Sequence, residues 1–148
     1  METIQKSIEV EVPLSRVYNQ WTQFEQFPQF MEGVERIHQV DDRHLHWVAQ
    51  VGGRTKEWDA EIIEQIPDQR IAWRSTGGAP NSGVVSFQAL GLNRTRIDLT
   101  LSYQPETAPE KIGDALGVLS RRVNGDLERF KEFIQRRGQE TGAWRGAI

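Results

Sequence analysis

The chain has 148 residues, 26% of them charged and 37% hydrophobic, with a net charge of −3 and no cysteine. That length buries one core, the acidic balance gives no overall basic field to draw nucleic acid, and the missing thiols exclude disulfides, thiolate nucleophiles and cysteine-ligated metals. No run approaches the roughly 18 apolar residues of a membrane span, and METIQKSIEV lacks the apolar stretch of a signal peptide, so the expected location is the cytoplasm.

From Thr3 to Val12 apolar and polar residues alternate. Ile4, Ile8, Val10 and Val12 share one face of a half-buried strand, and Pro13 ends it. Leu14, Val17, Tyr18 and Trp21 then recur at helical spacing, followed by Phe24, Phe27 and Phe30 with Pro28 among them. This predicts two short helices between Leu14 and Met31, broken near Pro28. The aromatic cluster reads as a core plug that can wall one end of a pocket.

Beyond Val34 a run of strands is separated by turn signals at Asp41-Asp42, Gly52-Gly53, Pro67-Asp68, Thr76 to Gly83, and Gly91 to Arg94. Connections this short make antiparallel neighbours in a meander. A two-residue turn at Gly52-Gly53 sets Trp47 opposite Trp58, Ala49 opposite Lys56 and Leu45 opposite Ala60. A turn centred on Asp68-Gln69 sets Ile66 opposite Ile71 and Glu64 opposite Trp73. Trp47, Trp58, Ile62 and Trp73 then share an inner face, while His44 and His46 meet Glu61 and Asp59 on a wet outer one. Val85, Phe87 and Ala89 suit the inner face, as do Ile97, Leu99, Leu101 and Tyr103, with Arg96 and Asp98 outside. Matching those faces requires an odd loop between the two strands.

Thr107 to Gly138 reads as one long helix. Thr107 with Glu110 forms a capping box, and Pro109 fits the first turn. Ile112, Leu116, Leu119, Val123, Leu127, Phe130 and Ile134 make one apolar stripe, leaving Lys131, Glu132 and Gln135 in water. Arg136 and Arg137 complement the helix dipole, and Gly138 can close the helix in the left-handed conformation. Gly113, Gly117 and Gly125 each cost about 1 kcal/mol relative to alanine. They permit either close approach to another backbone or a space for a ligand beneath the helix. The division expected is one domain over 1–138 and a glycine-rich tail over 139–148, disordered by default. Trp144 beside Arg145 is the alternative anchor onto the domain or a partner subunit.

No nucleophile elbow, P-loop or dinucleotide fingerprint occurs. His44 and His46 with Asp59 or Glu61 have zinc-binding chemistry. On a wet face, however, such pairs are ordinary decoration, so neither metal nor cofactor is expected. Lys56, Glu64 and Tyr103 are the acid–base groups on the inner face, and Glu64 and Tyr103 are the weak catalytic candidates. The tryptophans offer stacking area to a planar ligand or simply fill the curve of the sheet.

The elements sum to an α+β fold: a curved antiparallel sheet of about seven strands wrapped around a long C-terminal helix, with two short helices after the first strand. The segments VPLSRVYNQWTQFEQFPQFMEGV, AEIIEQIPDQRIAWRSTGG and RVNGDLERFKEFIQRRGQETGAWRG, in that order, resemble the START-like or birch-pollen-allergen-like superfamily. Within it the chain resembles the bacterial polyketide cyclase/dehydrase-like group, itself similar to coenzyme-Q-binding proteins. The resemblance implies the helix-grip fold. The reading that follows is a carrier or sensor of a hydrophobic or aromatic small molecule, such as a lipid, isoprenoid quinone or polyketide, held between sheet and helix. The expected pocket walls are Trp47, Trp58, Trp73, Phe87, Leu99, Leu101, Tyr103, Leu116 and Leu119, with Phe27, Phe30 and Met31 at one end. The rivals are a polyketide aromatase/cyclase that works by shaping its substrate, and a subunit-interaction module that uses the tail, in which a homo-oligomer is the expected partner state.

Overall fold

The computed structural model describes residues 2–51, 54–78, 80–103 and 114–148, with backbone alone at 2, 51 and 114–119. In chain order the elements are β1 (Glu2–Val10), α1 (Leu14–Trp21), a 3-10 helix (Phe24–Gln29), β2 (Val34–Gln39), β3 (His44–Val51), β4 (Arg54–Ile66), β5 (Arg70–Gly78), β6 (Asn81–Gly91), β7 (Arg94–Tyr103) and α2 (Asp114–Arg137). The described strands form one antiparallel sheet in the order β1-β7-β6-β5-β4-β3-β2. Six strands meander, and β1 joins the far side of β7. Strand twist curls such a sheet, and α2 lies in the curl.

Alternation on β1 produces the expected half-buried strand, with Ile4 and Val10 buried while Thr3, Gln5, Ser7 and Glu9 are exposed; it ends at Val10, short of the expected Val12, which is buried beyond it. The second short helix differs from expectation. Pro28 lies inside the 3-10 helix, and the break falls at Thr22 and Gln23. The proline removes one amide donor from this short turn, which still closes with the Phe30 amide donating to the Phe27 carbonyl at 3.1 Å. Trp21, Phe24, Phe27 and Phe30 are all buried, and their rings meet edge-on or tilted at centroid distances of 5.4–5.7 Å. Phe130 of α2 adds contacts to Trp21 at 4.8 Å and Phe30 at 5.2 Å.

The β3–β4 register is the expected one, with Trp47 facing Trp58, Ala49 facing Lys56 and Leu45 facing Ala60. The β4–β5 register is not. Ile66 pairs with Arg70, Gln65 with Ile71 and Glu64 with Ala72. The connection is a three-residue turn in which Asp68 takes φ +63° and the amide of Gln69 donates to the carbonyl of Ile66 at 3.0 Å. A bulge between Ile62 and Glu64 then sets Ile62 opposite Trp73, where the expected register put Glu64, and so keeps Ile62 and Trp73 on the inner face. Five residues separate Ala89 from its partner Thr95, the odd spacing that both inner faces require.

On α2 the stripe residues Val123, Leu127, Phe130 and Ile134 are buried. Gly138 closes the helix at φ +73°, its amide donating to the Ile134 carbonyl at 3.0 Å. The expected start at Thr107, Pro109, Glu110, Ile112 and Gly113 lies outside the described residues, as do the side chains of Leu116, Gly117 and Leu119. Three α2 side chains clasp the opposite wall: Arg122 donates to the Gln50 carbonyl, Arg129 to the Phe30 carbonyl, and Asp126 accepts from the Glu32 amide at 3.0 Å.

The tail is ordered against α1, contrary to its disordered default. Asn19 donates to Glu140 at 2.8 Å, Gln20 exchanges two hydrogen bonds with Thr141, and the Trp144 amide donates to Thr22 Oγ1 at 3.1 Å. Arg145 donates to Asn19 and Asp68 and lies over the Tyr18 ring. Ile148 exchanges backbone bonds of 2.9 and 3.0 Å with Gln65. Pairing of β4 with β3 ends at His44–Glu61, so Ile148 covers a stretch of β4 edge that β3 leaves open.

Candidate functional site

The inner face of the sheet divides into two halves. Toward α1 it is closed: Ile62, Ile71, Val85 and Ile97 are at most 1% exposed. Toward the other end Trp47, Trp58, Trp73, Gly83, Leu99, Leu101 and Tyr103 are only half-buried. This gradient follows one strand at a time, since Ile97 to Tyr103 alternate inward on β7 while opposing Phe87, Val85, Gly83 and Asn81 on β6.

The open half is lined by flat aromatic surface. Trp47 and Trp58 stack at 5.5 Å with an interplanar angle of 11°. Phe27 tilts against Trp47 at 5.9 Å and joins this pair to the closed core. Trp73 lies across its partner Gly83, where an added Cβ would come within 2.4 Å of the indole. The glycine is therefore what lets the ring lie flat on the sheet. The Nε1 of Trp47 is buried with no acceptor.

Among the expected wall residues, the structure brings Trp47, Trp58, Trp73, Leu99, Leu101 and Tyr103 to the open half. Phe87, Phe27 and Phe30 are instead 7%, 2% and 2% exposed and belong to the packed core, with Met31 half-buried beside them. Glu64 is a correction. The bulge at Ile63 rotates it to the outer face, where Arg70 donates to both carboxylate oxygens at 2.5 and 3.1 Å and holds its carboxyl below the usual range. In its place Gln65 points inward and donates to the Tyr18 hydroxyl at 3.1 Å. Burial raises the Tyr18 hydroxyl above its ordinary value, opposed by that hydrogen bond.

His44 bonds Asp41, and His46 bridges Asp59 at 2.7 Å and Glu57 at 3.1 Å on the outer face. Those two carboxylates raise the His46 pKa. Among the described residues no three His, Asp or Glu side chains are arranged to hold a metal ion. Among the described residues Asp126 is the most perturbed carboxyl, pushed up to about 6 by burial against the lowering effect of Arg129 at 2.5 Å.

Two groups of residues escaped the sequence reading. Lys6 pairs with Leu99 and shares the inward parity of Ile4 and Ile8, a signal present in the alternation itself. The buried polar residues Asn19, Gln20 and Thr22 hold the tail, and their place on a helix with no exposed apolar side was the available sign.

A sheet curled around one C-terminal helix, with two short helices after its first strand, defines a START-like helix-grip protein. The chain belongs to the family described as polyketide cyclase/dehydrase and lipid transport, which residues 10–132 match. It is 56% identical, over 100% of its length and 99% of the relative's, to an uncharacterized 17.2 kDa protein of Streptomyces lincolnensis. Two solved structures share the fold. The Zhui aromatase/cyclase from Streptomyces sp. R1128 superposes with a TM-score of 0.81 at 17% identity, covering 97% of this chain and 99% of that one. A START superfamily protein from Mycobacterium smegmatis gives 0.76 at 12% identity, covering 90% and 97%. No described helix is long and apolar enough to cross a membrane.

Proposed function

We propose that the chain binds a hydrophobic or aromatic small molecule against the open half of the sheet, as a carrier or sensor. The observation that carries this reading is the half-buried set Trp47, Trp58 and Trp73. Half-buried indoles on the inner face of the sheet, while the other half of the same face is sealed, offer a ligand flat apolar surface. Family membership supports a lipid or polyketide class of ligand. The outward turn of Glu64 removes one of the two catalytic candidates and leaves Tyr103, which weighs for binding over turnover. The tail folds onto the α1 of its own chain, which weighs against its use as a contact between subunits.

The test is native mass spectrometry of protein purified from its own cells, with the extracted small molecules identified alongside. A retained quinone, lipid or polyaromatic, expelled by Leu101→Trp, supports the reading. An empty protein whose tryptophan fluorescence ignores a panel of such ligands overturns it.

A further inference from the structure

The charges of the sheet are sorted by face. Glu57, Asp59, Glu61, Glu64 and Asp98 all turn outward, engaged by His46, Arg74, Arg70 and Arg96. The inner face instead carries Lys56, opposite Ala49, and Lys6, opposite Leu99, both half-buried. No described inner-face side chain is a carboxylate, although the chain as a whole carries −3. Lys6 makes no hydrogen bond or ion pair with any described residue. A half-buried lysine with no partner among the described residues, on an inner sheet face whose described side chains include no carboxylate, is free to receive an acceptor from outside.

Resting on the binding reading above, we infer that the ligand is an anion: its apolar body lies against the indoles and an acidic oxygen is received by Lys6. A carboxylate of a fatty chain and a carboxylate on an aromatic ring share this chemistry. In either, the ammonium supplies a point charge and up to three donors.

The experiment compares two fluorescent probes of nearly the same shape, the anionic 8-anilinonaphthalene-1-sulfonate and the neutral N-phenyl-1-naphthylamine. The full chain should bind the anion more tightly by about tenfold. Lys6→Met, which keeps the length of the side chain, should abolish that preference while leaving the neutral probe's affinity unchanged, and Lys6→Arg should restore it. Unchanged binding of the neutral probe also reports that the variant is folded. Displacement of the anionic probe by oleate or by 2-naphthoate then separates the fatty from the aryl carboxylate. Equal affinity for the two probes, or a preference that survives Lys6→Met, overturns the inference and leaves the binding reading standing. Failure of both probes to bind overturns both.

Discussion

Gln20 gives the sharpest test of what holds the tail. It is fully buried, yet both ends of its amide serve one residue: Oε1 accepts from the Thr141 amide at 2.8 Å, and Nε2 donates to Thr141 Oγ1 at 3.1 Å. Gln20→Met keeps the length and most of the volume while removing both bonds. Each neutral hydrogen bond contributes about 0.5–1.5 kcal/mol net. Thr141 is exposed, so water can take over its freed groups, which puts the loss near ~1–2 kcal/mol instead of the larger cost of stranded donors. In a domain of this size each kcal/mol moves the melting midpoint by about 2–4 °C, so a drop of roughly 3–6 °C is expected. Urea unfolding followed by tryptophan fluorescence and circular dichroism measures it, in a double-mutant cycle with deletion of 139–148. Once the tail is gone, Gln20→Met should cost nothing further. An equal loss with and without the tail, or none in the full chain, refutes the assignment of Gln20 to Thr141.

Three further outcomes follow from groups elsewhere. Asp126 titrates at about 6 in the folded chain against a usual 3.8, so the folded state binds its proton more tightly than the unfolded one. Its stabilising contribution is complete below about pH 4 and is lost as pH rises through about 6. Asp126→Asn should therefore gain on the native chain by on the order of 1–3 kcal/mol between pH 4 and 7.5, and a difference in urea stability that ignores pH refutes this. His46 should titrate above an ordinary histidine by NMR, and Asp59→Asn should bring it down because the Asp59 hydrogen bond is the largest cause of its shift. Gly83→Ala should displace the Trp73 ring that now lies 2.4 Å from the new Cβ position, at a cost of about 1–3 kcal/mol with a shifted emission maximum; unchanged emission would mean the ring does not rest there.

The legible parts of the fold are those where local chemistry leaves one solution. A Gly-Gly pair in the sequence signals a two-residue connection, and from that expectation the Trp47–Trp58 pair, which the β3–β4 register shows, follows without any knowledge of the rest; Gly52 and Gly53 themselves lie outside the described residues. At Pro67-Asp68-Gln69 the same argument fails, because Asp68 takes a left-handed conformation that aspartate tolerates but does not advertise. A slip of one residue exchanges the two faces of a strand. The chain repairs it within four residues by the bulge at Ile63, so Ile62 and Trp73 still face inward and only Glu64 and Gln65 change places. The trace of that bulge in the sequence is Ile62-Ile63 itself, two adjacent apolar residues that strict alternation cannot both bury; Ile63 is 48% exposed.

The tail was illegible for a different reason. Its order comes from partners about 120 residues away, and GQETGAWRGAI has no periodicity of its own. The signal sat on α1. Val17, Tyr18, Asn19, Gln20 and Trp21 are buried in succession, so both sides of that helix are covered although only one can face the sheet. An apolar cover would have left Asn19 and Gln20 unsatisfied, which requires that whatever lies over them be polar. The same logic read Lys6 too late: a cation among Ile4 and Ile8 at strand spacing is either a flaw in the pattern or a position where the wall was meant to meet charge. Its lack of any described counter-charge favours the second, because a lysine kept only for solubility would stand on the outer face, where carboxylates already wait for it.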